Sequence, residues 1–142
     1  MMFTTLQKRI AVTTGLVLAL GACALLPLGA GPETQREVLV RVRNMAYYLD
    51  NDSRSPNPVI RVTAGERIRL RLVNEDPGFN HDFAIGAWDV GTPMVHGEER
   101  TSIVFRVPEK PGSFTYVCTL HAAMMKGTIE VVSAEVAQTA GD

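Results

Sequence analysis

From residue 31 onward the sequence predicts an all-β domain, a sandwich of about seven or eight strands. Two segments, 38–43 and 67–72, alternate apolar and polar or charged residues with a period of two. Gly, Pro, Asn and Asp clusters break the chain into short runs, and no stretch keeps a helical period. About seven or eight short strands in roughly 100 residues is the spacing expected of a sandwich.

In the first strand Val38, Val40 and Val42 share a face opposite Leu39, Arg41 and Arg43. The segment 50–58 is rich in turn formers, and Pro56 and Pro58 cannot donate to a ladder, so it reads as a polar linker. Val59 to Thr63, a turn at Ala64-Gly65, and Arg67 to Asn74 read as a hairpin. In its second arm Ile68, Leu70 and Leu72 point to the core, and Arg67, Arg69 and Arg71 form a solvated face. A short strand around His81 to Ile85 follows, then a Gly/Trp/Pro connection, a strand from Thr101 to Val107 and a turn from Pro108 to Gly112. Phe114 to Cys118 and Thr128 to Val132 are strands flanking a loop, and the residues from Ser133 read as a frayed tail. Trp88, Met45, Tyr47 and Tyr48 read as packing residues, and His96 as a surface-loop residue.

The N-terminal end has a different character. Lys8 and Arg9 precede a run without charge up to Glu33, and Ile10 to Leu28 is strongly apolar. Residues 1–30 therefore read as an export leader, leaving a single domain at 31–142 with its core at 38–132. Leu20-Gly21-Ala22-Cys23 resembles a bacterial lipobox, which would acylate Cys23 and tether the domain as a lipoprotein. Ala22-Cys23-Ala24 also reads as a cleavage site for simple release, and the uncharged run is long enough to remain as an uncleaved anchor. Each fate places the domain in the periplasm or on an extracytoplasmic membrane face. The net charge of −1 gives no reason to expect a nucleic-acid partner. Of two cysteines, one lies in the leader. Cys118 is thus a free thiol or a ligand.

Cys118, His121, Met124 and Met125 fall within eight residues, and His81 lies upstream at the start of a strand. Two imidazoles and a thiolate with a weak axial thioether form the donor set of a blue-copper electron-transfer site. Structural zinc normally takes four Cys or His ligands, for which a thioether is a poor substitute. A binuclear copper centre would need a second cysteine in the loop, where position 122 is Ala.

The segment Tyr116-Val117-Cys118-Thr119-Leu120-His121-Ala122-Ala123-Met124-Met125-Lys126-Gly127-Thr128-Ile129 resembles the C-terminal ligand loop of the cupredoxins. Upstream, Thr63-Ala64-Gly65-Glu66, Leu72-Val73-Asn74, His81-Asp82-Phe83 and Pro111-Gly112-Ser113-Phe114-Thr115-Tyr116 are similar to that family's Gly turn, Asn-ended strand, first histidine and Pro-Gly turn. The resemblance implies a Greek-key β-sandwich carrying one type 1 copper, with His81, Cys118 and His121 as strong ligands. Met125 would be the axial ligand by its similarity to azurin, whereas the Cys-to-His spacing resembles plastocyanin and amicyanin and leaves Met124 as an alternative. By analogy with azurin, the backbone carbonyl of Asn80 would approach the metal. Asp82 departs from the Asn or Ser common at that place, and a buried carboxylate there needs a partner or a proton.

The function so implied is a mononuclear electron carrier cycling between Cu(I) and Cu(II), not an enzyme. It is expected to act as a monomer that meets redox partners (a cytochrome, a reductase or an oxidase) transiently. The alternative is periplasmic copper handling by a chaperone, storage or sensing protein. Such proteins favour exchangeable Met- and His-rich sites.

Overall fold

The computed structural model describes residues 35–139. The leader, with Cys23 and its three alternative fates, lies outside them. Among the described residues no helix is long and apolar enough to cross a membrane.

The strands are β1 (Gln35–Arg43), β2 (Ala46–Leu49), β3 (Ile60–Thr63), β4 (Arg67–Asn74), β5 (Asn80–His81), β6 (Ala84–Ile85), β7 (Val90–Gly91), β8 (Val95–His96), β9 (Arg100–Arg106), β10 (Gly112–Val117) and β11 (Lys126–Val132). Seven of them are four residues or longer, matching the expected number, and four are two-residue segments around the site. A 3-10 turn, Gly86–Trp88, lies between β6 and β7, and the helix α1 (Ala134–Thr139) follows β11.

One sheet runs β2-β1-β4-β9 and the other β3-β11-β10-β6-β7, while β5 and β8 form a separate two-stranded ribbon. The alternation read in β1 and β4 becomes an inner face. The strands pair in parallel with Val38 opposite Leu70 and Val40 opposite Leu72, and all four side chains are buried. In the second sheet Ile60 lies opposite Ile129 and Val62 opposite Val131, also buried. Side chains from both inner faces join in one core cluster. Full burial of each Val, Leu or Ile contributes about 1.5–3 kcal/mol, so the two apolar stripes hold the sheets face to face.

The expected hairpin over 59–74 does not form. β3 pairs with β11 and β4 with β1 and β9, so the Ala64-Gly65 turn carries the chain from one sheet to the other. Both arms have an apolar face, and each buries it from its own side of the core. Gly65 takes φ +72 at this turn, where a residue with a Cβ would be strained. The expected strand 81–85 is split as well: β5 pairs with β8 and β6 with β10. The tail from Ser133 is a helix at its start, since α1 covers Ala134–Thr139. His96 lies on β8 opposite Asn80, not in a loop.

A hairpin unremarked in the sequence joins β1 to β2. Arg43 pairs with Ala46 across the two-residue turn Asn44-Met45, and both turn residues have positive φ, 51 and 58. That is the backbone of a type I′ turn, whose twist suits antiparallel strands. Asn accepts the left-handed region readily, whereas Met does so at a cost of about 1–2 kcal/mol. The turn lies beside the loop that follows β4, at the end of the sandwich that carries the site.

Candidate metal centre

Two loops at one end of the sandwich carry the ligand-type side chains. The first leaves β4 at Asn74, whose side chain donates to Phe79 O at 2.8 Å and accepts from Asp76 N–H at 3.0 Å. These bonds fold residues 75–79 back so that β5 delivers His81 inward, fully buried. The second loop joins β10 to β11. His121 N–H donates to Cys118 O at 3.1 Å, Met125 N–H to His121 O at 2.9 Å, and Cys118 N–H to Met125 O at 3.0 Å. This closed turn holds Cys118, His121 and Met125 together in one short loop, with Cys118 and His121 brought to the same point.

Among the described residues, His81, Cys118 and His121 form the group able to hold a metal, with their ligand atoms within 4.8 Å of one another. Both imidazoles turn Nδ1 toward the thiol: Cys118 Sγ lies 3.8 Å from His81 Nδ1 and 3.5 Å from His121 Nδ1. Metal–thiolate and metal–imidazole bonds of about 2.3 and 2.0 Å, opened between tetrahedral and trigonal angles, separate sulfur and nitrogen by about 3.5–3.8 Å. The spacing and the donor types fit a single ion.

The methionines differ sharply. Met125 is fully buried in the core cluster, whereas Met124 is 55% exposed. Asn80 precedes His81 on β5, is exposed, and its Oδ1 lies 2.8 Å from His96 Nδ1. Asp82 has found the partner that its burial demands. It accepts from Thr119 N–H and from the Thr119 hydroxyl, joining the two ligand loops.

Electrostatics favour metal uptake by neutral imidazole. Burial holds His81 below the ordinary histidine value, the neighbouring His121 adds to the lowering, and Asp76 partly opposes it. Burial pushes the Cys118 thiol up, offset in part by the backbone N–H groups of Asp82 and Leu120. Metal binding must therefore displace a proton from sulfur, and a cation of high thiolate affinity does so.

Supporting residues surround the ligands; Tyr47 packs as the sequence suggested, whereas Asn57 and Asp76 escaped sequence reasoning. Tyr47, Phe83 and Tyr116 pack as an aromatic cluster beneath the site, with ring centroids 4.8–5.6 Å apart. The Tyr47 hydroxyl donates to Asp82 O. Asn57, within the polar linker, accepts from Tyr47 N–H at 3.1 Å and donates to Met124 O at 3.0 Å, so the linker braces the ligand loop. Asp76 sits behind His81, with Oδ2 3.4 Å from Nε2. The one signal for Asn57 was its being an Asn within a turn-forming segment, a residue type that tolerates the left-handed backbone it adopts (φ 50).

A sequence profile for the cupredoxin-like domain matches residues 16–131. No curated protein matches the sequence. Among solved structures, the chain is similar to auracyanin A, a "blue" copper protein from Chloroflexus aurantiacus, with 15% identity over 70% of this chain and 100% of that one and a TM-score of 0.54. It is similar to rusticyanin from Thiobacillus ferrooxidans, with 21% identity over 69% of this chain and 77% of that one and a TM-score of 0.51. A third is the periplasmic domain of cytochrome oxidase subunit II of Bradyrhizobium japonicum, with 16% identity over 72% of this chain and 88% of that one and a TM-score of 0.54. At these identities the likeness establishes the shared fold.

Proposed function

This chain belongs to the cupredoxin-like domain family, and on that premise we propose that it is a mononuclear blue-copper electron carrier, exported from the cytoplasm, that passes single electrons between redox proteins. The family and the cluster His81, Cys118, His121 and Met125 fit one type 1 copper. In this reading His81 Nδ1, Cys118 Sγ and His121 Nδ1 are the strong donors. The buried Met125 is the axial ligand, favoured over the exposed Met124, with the Asn80 carbonyl as a further weak contact. Bound copper supplies a one-electron couple between Cu(I) and Cu(II). The chain contributes a donor set fixed by the turn 118–125 and by the Asp82 tie, so the donors need not rearrange between oxidation states.

The observation that carries the reading is the exposure of His121. Its ring is half-buried, while His81 and Cys118 are sealed. Exposed Leu120 (59%), Met124 (55%), Ala122 and Ala123 share its loop, and exposed Phe79 (52%) lies against the His81 ring, whose centroid is 5.0 Å from that of His121. A half-buried ligand edge within an apolar rim suits transient contact with a redox partner, of the kind that buries less than about 1,200 Å². Copper storage or delivery is less well served, because the sealed thiol hinders exchange of the metal. The domains of oxidases share this fold, and among these readings the half-buried His121 edge favours the carrier.

Electron self-exchange followed by NMR line broadening tests the reading. Ala122→Glu should slow exchange at least tenfold and leave the copper spectrum unchanged, through like-charge repulsion at the rim. Equal rates would place the electron path elsewhere.

A further inference from the structure

We propose that Asp76 is a positioning residue for the metal centre: its carboxylate holds the His81 ring with Nε2–H toward itself and Nδ1 toward the metal, and its charge weights the centre toward the oxidised state. The proposal rests on the copper reading above and names a group outside the ligand set.

The geometry is specific. Asp76 is buried, with its side chain 12% exposed, and Oδ2 lies 3.4 Å from His81 Nε2. That nitrogen is a sealed polar atom with no complete hydrogen bond in the protein. The carboxylate is therefore the group available to it, near enough for charge and slightly long for a well-formed hydrogen bond. The same carboxylate is anchored from behind. Oδ1 accepts from Asn44 N–H at 2.6 Å and Oδ2 from Met45 N–H at 2.9 Å. Those two amides belong to the left-handed turn between β1 and β2, so the hairpin fixes Asp76 and Asp76 in turn faces the ligand.

The chemistry follows from the donor roles of imidazole. A neutral ring carries one N–H, and a carboxylate beside Nε2 selects the tautomer that leaves Nδ1 as a bare lone pair. A negative charge there also makes the ligand more basic, which favours the higher metal charge; outer partners of this kind typically govern metal affinity by 10–100-fold.

The test separates charge from turn stability. In Asp76→Asn the ratio of Cu(II) to Cu(I) affinity should fall about tenfold, a rise in potential of about 59 mV for one electron, with the blue band retained. Met45→Gly relieves the turn strain, so it should leave the potential unchanged alone and should not reverse the shift in the double variant Asp76→Asn/Met45→Gly. An unchanged potential in Asp76→Asn, or full reversal in the double variant, overturns the proposal. The metal-free wild type gives an independent readout that needs no variant to fold. Nitrogen-15 NMR should show His81 as the Nε2–H tautomer, and an Nδ1–H tautomer would overturn the Asp76 contact itself. A wild type that takes copper without a blue band would instead overturn the copper reading, while the tautomer still reports on the contact.

Discussion

Asp82 accepts from the Thr119 backbone N–H at 2.7 Å and from the Thr119 hydroxyl at 2.8 Å. Asp82 follows one candidate ligand in sequence and Thr119 follows another, so one carboxylate spans both loops of the centre. Hydrogen bonds to a charged group contribute about 1.5–3 kcal/mol each. Asp82→Ala should destabilise the metal-free protein by about 3 kcal/mol, read by chemical denaturation, and should speed copper loss. Asp82→Asn, which keeps an acceptor but not the charge, should cost less and raise the reduction potential. If Asp82→Ala unfolds at the wild-type midpoint, the tie between the loops does not stabilise the fold.

Gly127 pairs with Tyr116 across β10 and β11, and a Cβ added at Gly127 would overlap the fully buried Tyr116 ring. Tyr116 is also held by its hydroxyl, which donates to Pro58 O at 2.7 Å. The ring cannot swing aside without losing that bond and its contacts with Tyr47 and Phe83. Gly127→Ala should therefore cost about 1–3 kcal/mol, the usual effect of overpacking. Calorimetry of the metal-free protein checks it, and an unchanged melting temperature would mean that the ring relaxes freely.

Met125 is sealed in the core, whereas Met124 projects at the rim. On the proposed assignment Met125→Leu removes a weak donor that favours Cu(II), and should raise the potential by about 59 mV or more, a tenfold change in relative affinity. Met124→Leu should move it much less. Voltammetry of the two variants decides, and the opposite order would exchange their roles.

Burial pushes the phenols of Tyr47 and Tyr116 above the ordinary 10.0, and the neighbouring Cys118 and Asp82 raise Tyr47 further. In the unfolded chain these groups lose their protons near pH 10, while in the fold they keep them. The folded state then binds more protons than the unfolded state, so stability must fall as pH rises. The metal-free protein should hold its stability to about pH 10 and lose up to about 1.4 kcal/mol per group per pH unit above it. Denaturation midpoints between pH 8 and 11.5 test this, and a flat profile would show that the phenols ionise freely in the fold.

The strand faces and the ligand types were legible because each is a local signal: alternation in 38–43 and 67–72, and soft donors crowded into 118–125. The pairing of strands was not. Val59 to Asn74 has the alternation and the glycine turn of a hairpin, and only distant partners, β11 for one arm and β1 with β9 for the other, reveal the change of sheet. Asp76 is hidden for a similar reason. A carboxylate in Glu75-Asp76-Pro77-Gly78 reads as a solvated turn until the β1–β2 hairpin is brought against it. Asn57 likewise acts through contacts 10 and 67 residues away. Ser133 onward is small and polar, and its helix is too short to show a period.

The central claim is that Cys118, between two imidazoles that both turn Nδ1 toward its sulfur, holds one copper. The visible spectrum of the copper-loaded protein tests it most directly, alongside the metal-to-protein ratio and the same spectrum of Cys118→Ala. An intense thiolate-to-copper charge-transfer band at one copper per chain, abolished in Cys118→Ala, is the predicted result. A wild type that loads only zinc, or a Cys118→Ala protein that stays blue, would contradict it.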